Sequence, residues 1–95
     1  MLAKNLRIAF DVDGTLHKGD KPREEIIGLL KALKAVGHYI IVWSGGGKDY
    51  AELRCRDFKI TEFVDECRDK LQNDGTIDVC FDDQVTFMAK CNIQV

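Results

Sequence analysis

The chain has 95 residues, and its 14 basic and 16 acidic residues leave a net charge of −2. This length suits one compact domain, and a near balance of charge without long runs of either sign argues against non-specific nucleic-acid binding through a basic face. We therefore expect a single domain over residues 1–95, without a strong nucleic-acid signal.

The cysteines and the first residues indicate the compartment. The four cysteines lack the Cys-x-x-Cys pairs of zinc sites, and they are Cys55, Cys67, Cys80 and Cys91. Cys80 lies in an apolar run, so we interpret the set as thiols in a reducing compartment. Residues 1–5 are too short and polar for a signal peptide, and no stretch approaches the roughly 18 apolar residues of a membrane span. We expect a cytoplasmic protein without membrane insertion.

The first predicted element is a strand over residues 6–12, where apolar side chains favour burial. Two carboxylates, Asp11 and Asp13, lie at its end, and Gly14 supplies the backbone freedom for a sharp turn. In open α/β sheets, ligands bind in the crevice outside the carboxyl ends of the strands. The two acids are therefore placed for chemistry rather than for packing.

A helix and a second strand follow. The polar residues 17–21 form a candidate flap, and a helical apolar pattern from Pro22 to Gly37 predicts a helix of about 14 residues. Residues 39–43 are rich in β-formers and predict a strand buried on both faces, which Ser44 and three glycines end.

The rest of the chain predicts alternating short elements: a helix at 48–56, strands at 63–65 and 76–81, a helix at 84–90 and a terminal strand at 93–95. Alternation of strands and helices predicts an α/β fold, a three-layer α/β/α sandwich with a Rossmann-like, mostly parallel sheet. Because successive parallel strands end on one side, the polar residues at their ends can converge, namely Asp11, Asp13, Ser44 and Asp82.

One family has this order of polar residues. The run Asp11-Val12-Asp13-Gly14-Thr15-Leu16, then Ser44, a lysine and the pair Asp82-Asp83 resemble the haloacid dehalogenase-like (HAD) superfamily of phosphatases and phosphotransferases, over nearly the whole chain. The resemblance implies that Asp11 is a nucleophile that forms an aspartyl-phosphate, and that Asp13 is the general acid and base. It also implies phosphate binding by five residues, which are Gly14, Thr15, Ser44, Gly45 and Gly46.

Crowded carboxylates repel one another, so we expect a cation, and carboxylate and carbonyl oxygens suit Mg²⁺. The resemblance implies that the ligands are the Asp11 carboxylate, the backbone carbonyl of Asp13 and one acid of the later pair. Asp82 is favoured, with Asp83 as the alternative or as its supporting partner. The resemblance also implies a catalytic lysine near the nucleophile. We assign this role to Lys70, and the alternatives are Lys59 and Lys48.

The family usually carries a cap domain, and this chain has room for none between Asp13 and Ser44 or between Ser44 and Lys70. We therefore expect a capless Mg²⁺-dependent phosphomonoester phosphatase, whose open site suits a large phosphorylated substrate or cover by a second copy of the chain. Two alternatives stay open: a non-catalytic or partner-dependent phosphate- or nucleotide-binding module, and a phosphotransferase to an acceptor other than water.

Two other motifs fail. An EF-hand needs glycine and glutamate where this chain has Leu16 and Pro22. A P-loop needs glycine and Ser or Thr where it has Val42 and Asp49.

Overall fold

The computed structural model describes residues 5–95. In chain order the elements are β1 Arg7–Asp11, β2 His17–Lys18, β3 Lys21–Pro22, α1 Glu24–Ala35, β4 Tyr39–Ser44, α2 Lys48–Asp57, a short 3-10 helix Thr61–Phe63, β5 Glu66–Asp69, a second 3-10 helix Lys70–Gln72, β6 Val79–Asp82 and β7 Cys91–Gln94. The predicted first helix, second strand and second helix are therefore confirmed to within two residues at their ends.

Five strands form one sheet in the order β5-β4-β1-β6-β7, and each neighbouring pair is parallel. This confirms an α/β fold with a mostly parallel sheet. The central strand β1 is apolar and buried because it has a neighbour on each edge, with Phe10 opposite Val42 and Phe81. The carboxyl ends of four strands lie at one edge of the sheet, and their last residues are Asp11, Ser44, Asp69 and Asp82.

Two clusters of buried side chains flank the sheet. The larger includes the inward faces of both helices, for example Ile27 and Leu30 from α1 and Ala51 from α2. The smaller contains strand residues such as Trp43 together with Ile77 from the loop before β6. Packing on both faces explains why β1 and β4 read as continuous apolar runs.

The predicted flap is a short hairpin. Strands β2 and β3 pair antiparallel, with His17 opposite Pro22, and Gly19 at the turn has a φ of +56°. The hairpin directly follows the Asp13 turn, so it lies beside the carboxyl edge of the sheet.

The predicted third strand at 63–65 is wrong, because Thr61–Phe63 is a 3-10 helix and the strand begins at Glu66. The Asp65 carboxylate instead accepts a hydrogen bond from the backbone N–H of Ile40 at 2.8 Å. In β5, Glu66 and Arg68 lie two residues apart on one face and form a 2.7 Å ion pair. Because this strand carries charged residues in place of an apolar run, the sequence did not indicate a strand here.

The predicted helix at 84–90 is also wrong, since this segment has no regular secondary structure. Its backbone bonds to its surroundings instead: Lys90 N–H donates to the Ile77 carbonyl at 3.2 Å. The Asn92 side chain further donates to the Ala89 carbonyl at 2.7 Å and accepts from the Ala89 N–H at 3.1 Å.

The last two strands form close to their predicted positions. The final strand is β7, which begins two residues before the predicted range 93–95. The strand predicted at 76–81 forms as β6, slightly later.

Among the helices of residues 5–95, none has the length and apolar character needed to cross a membrane.

Candidate active site

Three carboxylates meet at the carboxyl edge of the sheet. Asp11 ends β1, Asp82 ends β6, and Asp83 follows directly. One oxygen from each lies within 4.8 Å of the others. The side chains of Asp11 and Asp82 are only 8% and 3% exposed, so their charges are poorly solvated.

Lys70 supplies the counter-charge. Its Nζ lies 2.7 Å from Asp11 Oδ1 and 2.7 Å from Asp82 Oδ2. The lysine starts the 3-10 helix after β5, and the Asp69 carboxylate stabilises that turn by accepting from the Leu71 N–H at 2.8 Å. The structure thus brings Lys70 to the acids.

The two rival lysines lie elsewhere. Lys48 is the first residue of α2, and Lys59 follows that helix in a left-handed conformation with a φ of +58°. Both side chains are exposed.

The other oxygens of the buried acids are also hydrogen-bonded. Thr15 Oγ1 donates to Asp11 Oδ2 at 3.1 Å, and the Gln84 N–H donates to Asp82 Oδ1 at 2.9 Å. Thr15 is fully buried, and its N–H donates to the Val12 carbonyl at 3.2 Å. Thr15 therefore orients Asp11, and neither of its donors is directed at a phosphate.

Burial controls the ionisation of Asp11. Desolvation raises the pKa of its carboxyl to about 6, against the lowering effect of the Lys70 hydrogen bond and charge. For Lys70, burial acts to lower the pKa, but the hydrogen bonds to Asp11 and Asp82 outweigh it and raise the pKa. Burial likewise acts to raise the pKa of Asp83, yet hydrogen bonds, first from Gln84, hold it below its ordinary value.

The acidic cluster fits a divalent cation. With all groups ionised, three carboxylates face one ammonium, which leaves two negative charges uncompensated. Carboxylate oxygens are the ligands that Mg²⁺ prefers. The residues whose side chains could hold such an ion are Asp11, Asp82 and Asp83.

Asp13 lies outside this cluster. Its side chain is 63% exposed, and its Oδ1 is 2.8 Å from His17 Nε2 and 2.6 Å from the Tyr50 hydroxyl. Burial acts to raise the pKa of Asp13, but the hydrogen bonds from Tyr50 and His17 outweigh it and lower the pKa. Its carboxylate is therefore held ionised and separate from the cluster, so Asp13 could reach a cation there only through its backbone carbonyl.

His17 links Asp13 to the hairpin. Its Nδ1 lies 2.8 Å from the Gly19 carbonyl while Nε2 faces Asp13, so both ring nitrogens face acceptors.

Ser44 organises the glycine segment. Its Oγ accepts from the Gly46 N–H at 3.0 Å, and its carbonyl accepts from the Gly47 N–H at 3.2 Å. Gly47 has a φ of +103°, which glycine alone adopts readily, and α2 begins at the next residue. Gly45 is exposed at the tip of this turn. The segment leads directly into the N–H groups of the first helical turn, where anions are favoured.

Gly14 gives the Asp83 carboxylate its position. With a φ of +85°, Gly14 passes so close to Asp83 that an added Cβ would overlap its carboxyl group. The Gly14 carbonyl in turn accepts from Arg23 at 3.0 Å, and the same guanidinium nitrogen donates to the Val95 carbonyl at 2.9 Å. Gly14 therefore shapes the site rather than merely turning the chain.

Three contacts of the site were not anticipated from sequence: Tyr50 on Asp13, Gln84 on Asp82 and Arg23 on Gly14. Tyr50 carried a signal, since it lies in the first turn of the helix that follows Ser44. For Arg23 no signal existed, because its partner depends on how the hairpin packs.

No family model, curated protein or solved structure matches this chain.

Proposed function

We propose that this protein is a Mg²⁺-dependent phosphohydrolase of the HAD-like type that acts through an aspartyl-phosphate. The observation that carries the proposal is the buried Asp11 carboxylate, held between Lys70 and Thr15 beside two further acids. A carboxylate in this setting has a fixed direction and an adjacent cation, as a nucleophile requires.

In the first half-reaction, an oxygen of Asp11 attacks the phosphorus of a phosphomonoester. The bond from phosphorus to the leaving oxygen breaks, and Asp13 donates a proton to that oxygen. Asp13 is held ionised by its donors, so it must first gain a proton. A phosphate dianion beside Asp13 favours this protonation by like-charge repulsion.

In the second half-reaction, Asp13 removes a proton from water, which attacks the phosphorus of the aspartyl-phosphate and regenerates Asp11. Lys70 offsets negative charge on Asp11 throughout, from 2.7 Å. The N–H groups of Gly46 and Gly47 already donate to Ser44, so the donors that remain for phosphoryl oxygens are the Ser44 hydroxyl and the first N–H groups of α2.

The metal would be held by the carboxylates of Asp11 and of Asp82 or Asp83, with the backbone carbonyl of Asp13 as the further ligand that the family resemblance implies. When bound, Mg²⁺ supplies positive charge that lowers the cost of charge on the phosphoryl group.

We further propose the three-layer, Rossmann-like architecture without a cap. When the five strands of the sheet are numbered 1 to 5 by their order along the chain, they lie in the order 3-2-1-4-5. This is the Rossmann order, and it supports the assignment. Only the hairpin and α1 lie between Asp13 and Ser44. A site without a cap suits a large phosphorylated substrate.

The test is hydrolysis of an aryl phosphate with Mg²⁺. Asp11→Asn should abolish turnover with the fold retained by circular dichroism, whereas Asp20→Asn on the exposed hairpin should leave turnover unchanged. Excess chelator should abolish activity and added Mg²⁺ should restore it. Undiminished hydrolysis by Asp11→Asn would refute the mechanism. Binding of phosphate ligands without turnover would favour a non-catalytic module instead, and phosphate transfer to an added alcohol would indicate a phosphotransferase.

A further inference from the structure

Two cysteines lie in contact away from the acidic site. Cys55 on α2 and Cys67 on β5 place their sulfurs 3.8 Å apart. Cys55 is buried and Cys67 is partly exposed. A disulfide requires a sulfur separation of about 2.0 Å, so the two sulfurs must approach each other by about 1.8 Å for the bond to form.

A cavity gives access to this thiol pair. Its volume is about 190 Å³, and both cysteines line it together with Glu52, Arg56 and Glu66. A water molecule occupies roughly 30 Å³ in the liquid, so the cavity admits a small polar molecule to the sulfurs.

The two thiols are chemically unequal. The hydrogen bond between the sulfurs, followed by burial, raises the pKa of Cys55. The same bond lowers the pKa of Cys67, with help from the charge of Lys48, and outweighs burial and the charges of Glu52 and Glu66, which act to raise it. Cys67 is therefore the better nucleophile, because the thiolate is the reactive form.

We propose that Cys55 and Cys67 are a redox-active pair that a hydroperoxide converts to an intramolecular disulfide. The Cys67 thiolate attacks the terminal oxygen of the hydroperoxide, whose O–O bond breaks, to give a sulfenic acid and, after protonation, an alcohol or water. Cys55 then attacks the Cys67 sulfur, loses its proton and displaces water. Two thiols lose two electrons and two protons, and the hydroperoxide is reduced by two electrons.

The disulfide would join α2 to β5. Tyr50, which binds Asp13, lies on the same helix, and Lys70 follows the same strand. The pair is independent of the proposed phosphatase chemistry, so its test needs no activity.

The experiment treats the reduced full chain, and a Cys80→Ser/Cys91→Ser variant that retains only this pair, with hydrogen peroxide. Intact mass should fall by two hydrogen atoms in both, and a thiol reagent should find two fewer free thiols. Trypsin separates the cysteines into different peptides: 55–56, 60–68, 71–90 and 91–95. Under non-reducing conditions, peptide 55–56 should be joined to 60–68, and dithiothreitol should release it.

Two single variants test the assigned roles. Cys55→Ser should give no cross-link and should accumulate a sulfenic acid on Cys67 that dimedone traps. Cys67→Ser should give neither product at Cys55 under the same treatment. The proposal is overturned if the double variant loses no thiols with peroxide while it remains folded, or if Cys55→Ser and the unchanged chain lose the same number of thiols.

Discussion

Lys70 Nζ lies 2.7 Å from Asp11 Oδ1, although strand β4 separates the strand that precedes Lys70 from the strand that ends in Asp11. The lysine therefore extends over the carboxyl edge of the sheet to reach its partner. One ammonium holds acids from β1 and β6 together, and the charge balance of the site depends on this one side chain.

Lys70→Met should destabilise the protein, because Asp11 and Asp82 would remain buried without their counter-charge. We expect a loss of about 2–4 kcal/mol in the free energy of unfolding at pH 8, measured by urea denaturation. Lys48→Met, at an exposed lysine, should change it by less than about 0.5 kcal/mol. Equal changes in the free energy of unfolding for the two substitutions would show that the Lys70 charge does not stabilise the buried acids.

Asp11→Asn should stabilise the protein at neutral pH. The folded-state pKa of about 6 lies above the ordinary 3.8, so the folded protein retains a proton that the unfolded chain has released. The contribution of Asp11 to stability therefore falls as pH rises from about 4 to about 6 and then levels off. The substitution removes this penalty, and we expect a gain of about 1–3 kcal/mol at pH 8 without divalent cations.

The gain should become small as pH falls to about 4 and should vanish at lower pH, where Asp11 is protonated in the unfolded as well as in the folded state. Urea denaturation at pH 8 and pH 4 measures both values. A constant difference between the two proteins at both pH values would contradict the assigned pKa.

Binding of Mg²⁺ should be linked to protons on Asp11. Because the cation and the proton compete for this carboxylate, affinity should fall as pH decreases below about 6, approaching tenfold per pH unit. Calorimetric titration at several pH values measures this slope.

Substitution of Asp82 and Asp83 by Asn, one at a time, should distinguish the ligand from its neighbour. Removal of a ligand should reduce Mg²⁺ affinity strongly, whereas removal of a supporting carboxylate costs roughly 10- to 100-fold. Asp20→Asn is the control for lost charge, and a loss of affinity in that variant would indicate a general electrostatic effect.

Gly14→Ala should destabilise the protein through both backbone and side chain. Its φ of +85° is unfavourable for alanine, and the added Cβ would overlap the Asp83 carboxylate. We expect a loss of about 1–3 kcal/mol. Gly19→Ala isolates the backbone term, because Gly19 also has a positive φ but nothing lies within 4 Å of an added Cβ. Thermal denaturation of both variants should show the larger decrease for Gly14.

Tyr50→Phe should raise the pKa of Asp13, since the lost hydroxyl is the first of the donors that lower it. Carbon-detected NMR titration of the Asp13 carboxyl measures the change. Tyr39→Phe is the matched control, because the Tyr39 hydroxyl donates to Glu66 at 3.0 Å and not to Asp13. A shift of similar size in both variants would show that the Tyr50 contact is not responsible.

The central part of the fold was predictable because apolar residues, turn glycines and helix-periodic patterns coincide there. In β1 and β4, burial on both faces favours continuous apolar runs such as Ile40 to Trp43, and their β-branched residues favour a strand. The acids at the ends of β1 and β6 follow from the same pattern.

The edges of the sheet were less predictable. Strand β5 carries Glu66 and Arg68, whose mutual ion pair replaces the apolar signal. In segment 84–90, where a helix was predicted, the apolar residues Val85 and Phe87 are 70% and 91% exposed. The conformation of this segment depends on hydrogen bonds to residues in distant loops, for example from Lys90 to Ile77, and local propensity does not encode such contacts.

The hydrogen bonds of Asp13 connect its charge to the position of the hairpin. Tyr50 belongs to α2 and His17 to the hairpin, and both donate to the same oxygen, Oδ1. A neutral carboxyl accepts hydrogen bonds more weakly than a carboxylate, so protonation of Asp13 loosens the bond to His17. By thermodynamic reciprocity, any ligand that moves the hairpin away also makes Asp13 easier to protonate. Under the proposed mechanism, a substrate that displaces the hairpin would thereby favour the protonated Asp13 that the leaving group needs.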